Sequence, residues 1–169
     1  IVAVTKTHGP AAVREAVAAG IPDVGENRVQ EALAKQEQCE GVPARWHLIG
    51  SLQRNKARHA VGRFALIHSV DRLELATELD RRVLAVNGRQ PILVEVNCSG
   101  EAQKGGVEPE ALAPLLDAIA ALPGLELRGL MTMAALTEDQ RIQRTTFGTL
   151  RRLRDGLQAA GHPATELSM

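Results

Sequence analysis

Short apolar runs rich in β-branched residues alternate with amphipathic segments of helical period along the whole chain, and this alternation constrains the fold most. Ile1–Thr5, Asp23–Gly25, Arg45–Gly50, Ala65–Val70, Pro91–Asn97 and Leu125–Met133 read as strands. Each is followed by a helical stretch, over 11–19, 27–38, 53–62, 72–85, 109–121 and 138–160, and a seventh strand begins near Thr165. Gly20, the Pro123-Gly124 pair and Gly161 punctuate the ends of three helices. Asp71, with Glu74 three residues on, reads as a helix cap, and Asn27 locally reads the same way. Repeated βα units dictate parallel strands joined by right-handed crossovers. Either an open doubly wound sheet or a barrel satisfies that pattern. An open sheet gathers its ligand groups at one switch point, whereas a barrel collects them from many strand ends. Six strands here each end in a polar or glycine-rich cluster, which favours a (β/α)8 barrel, cut at about the seventh strand.

Composition narrows the function. Lys+Arg 20 against Asp+Glu 20 gives a net charge of +0, without the basic excess of a dedicated nucleic-acid binder. Aromatics are 2% and tyrosine is absent, so base-stacking platforms are not available. No window approaches 18 consecutive apolar residues, and no membrane span is expected. Cys39 and Cys98 stand far apart with no CxxC pairing, which suits a reducing cytoplasm better than a disulfide framework or a zinc knuckle. The five histidines show no HExxH or other tight ligand spacing, so no metal site is expected. Neither GxGxxG nor GxxxxGK[ST] occurs. The chain opens on Ile1 in a strand-like run and stops at Met169 as another strand starts, so it reads as one domain over 1–169, incomplete at both ends.

Lys6 is the first candidate for chemistry. It follows an apolar strand and shares a face with Val2 and Val4. Two readings stand: a lysine snorkelling to the surface, or an amine aimed into the barrel mouth, where desolvation favours its neutral, nucleophilic form. His47 reads as a core or strand-end histidine, Lys104 as an exposed loop lysine, and the basic run Gln53–Arg63 as a solvated helix face or a phosphate contact. No Ser-His-Asp or Cys-His arrangement is recognisable from spacing. These residues by themselves name no substrate.

Several stretches nevertheless match one family in order: Ala3-Val4-Thr5-Lys6-Thr7, Gly25-Glu26-Asn27-Arg28-Val29-Gln30-Glu31, Trp46–Lys56, Ile67-His68-Ser69-Val70-Asp71, Val94-Glu95-Val96-Asn97, Gly100-Glu101-Ala102-Gln103-Lys104-Gly105 and Arg128–Met133. On these motifs the chain resembles the pyridoxal-phosphate homeostasis proteins over essentially its full length. The resemblance implies a (β/α)8 barrel of the fold-type III pyridoxal-phosphate kind, similar to the N-terminal domain of alanine racemase. It implies that Lys6 forms an aldimine with pyridoxal 5′-phosphate, that Asn27 lies near the cofactor, and that Met131 lies close to its ring. Ser168 falls where the family's phosphate-binding stretch begins. The implied role is intracellular binding, buffering or delivery of the cofactor by a protein that is a carrier rather than an enzyme, with no catalytic residues assigned. Its partners would be the cofactor and pyridoxal-phosphate-dependent apoenzymes, with no nucleic acid or membrane, and the full-length protein would be a monomer. The alternative is a pyridoxal-phosphate-dependent enzyme such as an amino-acid racemase.

Overall fold

In the computed structural model, which describes residues 1–101 and 104–169, seven strands form one sheet in sequential order with every neighbouring pair parallel. The strands are β1 (Ala3–Val4), β2 (Asp23–Glu26), β3 (Arg45–Leu48), β4 (Leu66–Val70), β5 (Gln90–Glu95), β6 (Leu125–Met131) and β7 (Glu166–Ser168). The connecting helices are α1 (Pro10–Ala18), α2 (Val29–Gln38), α3 (Ala57–Ala60), α4 (Leu73–Leu84), α5 (Leu112–Ala120) and α6 (Gln140–Ala159). Consecutive strands pairing with their sequence neighbours exclude a doubly wound order, in which the chain reverses direction across the sheet. None of the helices is long and apolar enough to cross a membrane among the described residues.

The sheet is curled. His68 on β4 and Ser168 on β7 are three ladder steps apart, roughly 14 Å in a flat sheet. Their side chains nevertheless meet, His68 Nδ1 to Ser168 Oγ, at 2.9 Å. Alternation along each strand divides the side chains into two sets, and curvature makes one face convex and the other concave. Ile67, Ile92, Val94 and Leu130 point outward into the main core with Leu75, Leu79, Leu116, Ile119 and Leu150 from the helices. Leu66, Leu93 and Met131 form a separate small cluster on the concave side. Gly129 is required where β6 meets β7, because a Cβ there would overlap the backbone carbonyl of Glu166.

Several boundaries differ from the sequence reading. The first strand shortens to two residues, and Lys6 lies in the turn beyond it, where the His8 amide donates to the Thr5 carbonyl. The helix expected over 53–62 divides into a 3-10 turn at Arg54–Lys56 and the single turn α3. Pro109 likewise opens a 3-10 turn before α5 begins at Leu112. Neither expected cap forms. The residue before α4 is Arg72, with no side-chain cap, and the Asp71 carboxylate is drawn to the Arg72 guanidinium 2.5 Å away. The residue before α2 is Arg28, which leaves Asn27 outside the helix.

Candidate functional site

All strands run the same way, so their C-terminal ends share one edge of the curled sheet. Lys6 follows β1 by two residues, Asn27 directly follows β2, and Met131 and Ser168 are the last residues of β6 and β7. Lys6 and Asn27 thus come from adjacent strands, and Met131 and Ser168 are direct partners in the ladder. The first pair belongs to one end of the strand order and the second to the other, and both stand on the C-terminal edge, the mouth, of the curled sheet.

Each position has its own support. Beneath Lys6 and Asn27 lies a buried polar cluster. Thr5 Oγ1 donates to Glu26 Oε1 at 2.6 Å, and Lys35 Nζ from α2 donates to the Thr5 carbonyl at 2.8 Å and to Glu26 Oε1 at 2.5 Å. Glu26 is fully buried, and among the described residues its Oε2 has no hydrogen-bond partner. Thr5 and Glu26 immediately precede Lys6 and Asn27, so this cluster fixes the backbone from which both project. Gly50 at the end of β3 lets the Asn27 backbone pack close, since a Cβ would sit 2.7 Å from the Asn27 Cα. Met131 is 3% exposed and packs on Leu66 and Leu93. Thr132 anchors the end of β6 by donating to the Val96 carbonyl at 2.8 Å.

The four lysines occupy very different surroundings. Lys35 is committed to Glu26. Lys104, expected as an exposed loop lysine, is tied down: its amine lies 2.5 Å from Glu101 Oε2 and reaches the Met133 carbonyl at 3.4 Å, leaving the side chain 24% exposed. Ala102 and Gln103 of the same motif lie outside the described residues. Lys56 sits on the 3-10 turn after β3. Lys6 is partly exposed beside a half-exposed Val4, so the apolar surround expected from its strand is open on one side. Among the described residues its amine has neither an ion-pair nor a hydrogen-bond partner.

Three features of the mouth and of the concave face beneath it were not read from the sequence. Glu95 ends β5 directly beside Met131, and a Cβ on Gly105 would lie 3.4 Å from its Oε1. Burial, with a smaller push from the Asp71 charge, raises the Glu95 carboxyl to about 7. Asp23, His47, His68 and Ser168 form a continuous chain through 2.9 Å contacts: His47 Nε2 to Asp23 Oδ1, His47 Nδ1 to His68 Nε2, and His68 Nδ1 to Ser168 Oγ. Arg45 also holds Asp23, from Nε at 2.7 Å and Nη2 at 2.5 Å. That bidentate contact, together with His47, keeps the Asp23 carboxyl below its ordinary range despite partial burial. The fold therefore builds a serine–histidine–histidine–aspartate chain from residues whose spacing suggested none. The signal available was the placement of Asp23, His47 and His68 as polar side chains within three successive, adjacent strands. The third feature is the Thr5–Glu26–Lys35 cluster, whose helix member carries no strand-end signature. No group of three or more His, Cys, Asp or Glu able to hold a metal ion occurs among the described residues.

Glu95 gives a pH prediction. Its folded value of about 7 lies above the ordinary 4.5. Its contribution to stability is therefore fully present below 4.5 and is lost as pH rises through 7, a change of about 3 kcal/mol. His68, lowered to about 4 by burial and then by the His47 charge, acts oppositely, losing stability as pH falls from 6.5 through 4. The Glu95 effect is thus read as a difference. Urea unfolding of wild type and Glu95→Gln across this range should show the variant gaining relative stability toward neutral pH; parallel curves would refute the assignment.

Residues 1–169 match the alanine racemase N-terminal domain family. Two proteins named "Pyridoxal phosphate homeostasis protein" are clear relatives. That of Aquifex aeolicus is 44% identical over 154 residues, 91% of this chain and 68% of the relative. That of Pseudomonas aeruginosa is 45% identical over 153 residues, 90% of this chain and 66% of the relative. The chain thus spans about two thirds of the length of these relatives. The structure of PipY from Synechococcus elongatus without PLP superposes with a TM-score of 0.92 at 41% identity, over 99% of this chain and 80% of that one. The form with PLP bound gives 0.89 at 39%, over 99% and 79%. An alanine racemase of Clostridium difficile, at 16% identity and a TM-score of 0.82, shares the fold.

Proposed function

The chain belongs to the pyridoxal-phosphate homeostasis family, built on the alanine racemase N-terminal domain fold, and from that membership we propose that it binds pyridoxal 5′-phosphate and serves intracellular homeostasis of the cofactor. The observation that carries this reading is Lys6: of four lysines, it is the one at a strand end on the mouth with its amine unpartnered among the described residues. An aldehyde cofactor needs such an amine, a wall for its ring and a donor for its phosphate. Met131 with Leu66 and Leu93 supplies an apolar wall, and the Ser168 hydroxyl is a polar group at the same edge. The residues present therefore fit the group. When bound, the cofactor supplies an electrophilic aldehyde that an amine can hold reversibly.

Lys6 holds the aldehyde, Asn27 contacts the cofactor, Met131 packs near its ring, and Ser168 meets the phosphate. The protein acts as a carrier without turnover, a monomer that delivers the cofactor to dependent apoenzymes. The free thiols of Cys39 and Cys98 suit a cytoplasmic setting. Full-length protein mixed with pyridoxal 5′-phosphate should develop a near-visible absorbance band that borohydride removes and fixes. Incubation with L- and D-amino acids should then leave their chirality unchanged. Absence of the band would overturn the binding reading, and racemisation at catalytic rates would replace the carrier by an enzyme.

A further inference from the structure

The serine–histidine–histidine–aspartate chain permits only a few hydrogen placements. An ionised Asp23 only accepts, so His47 Nε2 carries a hydrogen. A neutral His47 must then accept at Nδ1, so His68 donates from Nε2 and accepts at Nδ1. That acceptor can be satisfied only by the Ser168 hydroxyl, which donates inward across 2.9 Å. In this state Ser168 offers the mouth lone pairs alone. A fully ionised phosphate, which only accepts, would meet an acceptor there.

We propose that these four residues form a proton relay that converts Ser168 from an acceptor to a donor when a phosphate group enters the mouth, with the added proton stored on His47. The proposal rests on the reading that Ser168 meets the cofactor's phosphate. A proton taken up from bulk solvent arrives at Ser168 Oγ, with the buffer supplying it and keeping its conjugate base. The original serine hydrogen passes to His68 Nδ1, and the His68 Nε2 hydrogen passes to His47 Nδ1. One proton is gained in all. His47 becomes a cation, His68 stays neutral with its hydrogen moved from Nε2 to Nδ1, and the new Ser168 hydrogen points into the mouth.

The surroundings suit that end state. Burial and the His47 charge hold His68 far down, at about 4, so the extra charge settles on its neighbour. His47 faces the Asp23 carboxylate on β2, which is shared with Arg45 from β3. His68 on β4 adds no charge. The remaining charged groups on β5, β6 and β7 are Glu95 and the Arg128 guanidinium, which pairs with Glu166 at 2.6 Å and with Glu126 at 3.2 Å. A phosphate dianion at Ser168 offsets the second positive charge that Asp23 then faces.

Long-range proton–nitrogen correlation on full-length protein with labelled histidine reads every step directly. The measurement is made above the second ionisation of a phosphate monoester, roughly pH 6. Without ligand, both histidines should carry their hydrogen on Nε2. Pyridoxal 5′-phosphate should make His47 doubly protonated and move the His68 hydrogen to Nδ1, as should saturating inorganic phosphate, whereas pyridoxal should change neither. His47→Phe, which removes the proton store, should weaken pyridoxal 5′-phosphate about tenfold, the worth of a hydrogen bond to a charged group, and leave pyridoxal affinity unaltered. Bound pyridoxal 5′-phosphate with His68 unchanged overturns the relay and leaves the cofactor reading standing. If pyridoxal 5′-phosphate does not bind, the cofactor reading falls, and the inorganic phosphate spectra alone decide the relay, an unchanged His68 refuting it.

Discussion

Full-length protein carrying Lys6→Ala is expected to lose the borohydride-fixable pyridoxyl label and the near-visible band completely, whereas Lys104→Ala keeps both, with the label on Lys6. The difference follows from what each amine is already doing. Lys104 is paired with Glu101 at 2.5 Å and would have to give up that contact before meeting an aldehyde. Lys35 is worse placed still, because removing it from Glu26 strands a buried carboxylate. Lys6 gives up no such partner, and the buried Thr5–Glu26–Lys35 contacts hold the backbone on which it stands. A covalent site needs that fixed placement, since loss of position costs more than loss of a contact. Reduction followed by peptide mapping decides the matter: a principal label on Lys104 in the wild type would sink the assignment.

Lys35→Met should be the most destabilising single change near the site, at roughly 3–5 kcal/mol, the usual cost of leaving one partner of a buried ion pair uncompensated. Lys35 and Glu26 are 7% and 0% exposed, so water cannot replace the lost ammonium. The Thr5 carbonyl also loses one of its two donors, keeping only the His8 amide. Replacing both charges, as in Lys35→Met with Glu26→Gln, should recover a large part of the loss, because the penalty lies in the orphaned charge rather than in the pair itself. Urea unfolding of the full-length protein measures both. A loss below about 1 kcal/mol for the single variant, the range of an exposed pair, would mean that the cluster does not hold the strand ends.

Much of this architecture was legible before any coordinates. The order of seven strands and six helices followed from hydrophobic period alone, because buried parallel strands must be apolar on both faces while their helices need be apolar on only one. Helix starts were less legible. Asp71 and Asn27 have the right chemistry for caps, yet Asp71 pairs with Arg72 and Asn27 packs its backbone against Gly50. A charged neighbour draws the Asp71 carboxylate away from the helix amides, and close long-range packing holds the Asn27 backbone outside the helix.

The site divides in the same way. The sequence by itself put Lys6, Asn27 and the Met131-Thr132 pair at the ends of parallel strands, which crossovers leave on one edge; that Met131 and Ser168 are the last residues of β6 and β7 was decided by the structure. Which amine lacks a partner among the described residues was decided only by the tertiary structure: Lys104 and Lys6 look alike as residues, and loop contacts separate them. The linking of Asp23 through His47 and His68 to Ser168 was likewise decided only there, with its last contact spanning 100 residues of sequence. Curvature is the physical reason. It is a property of the assembled sheet rather than of any strand, and only when β4 and β7 turn toward each other do these side chains come within hydrogen-bonding distance.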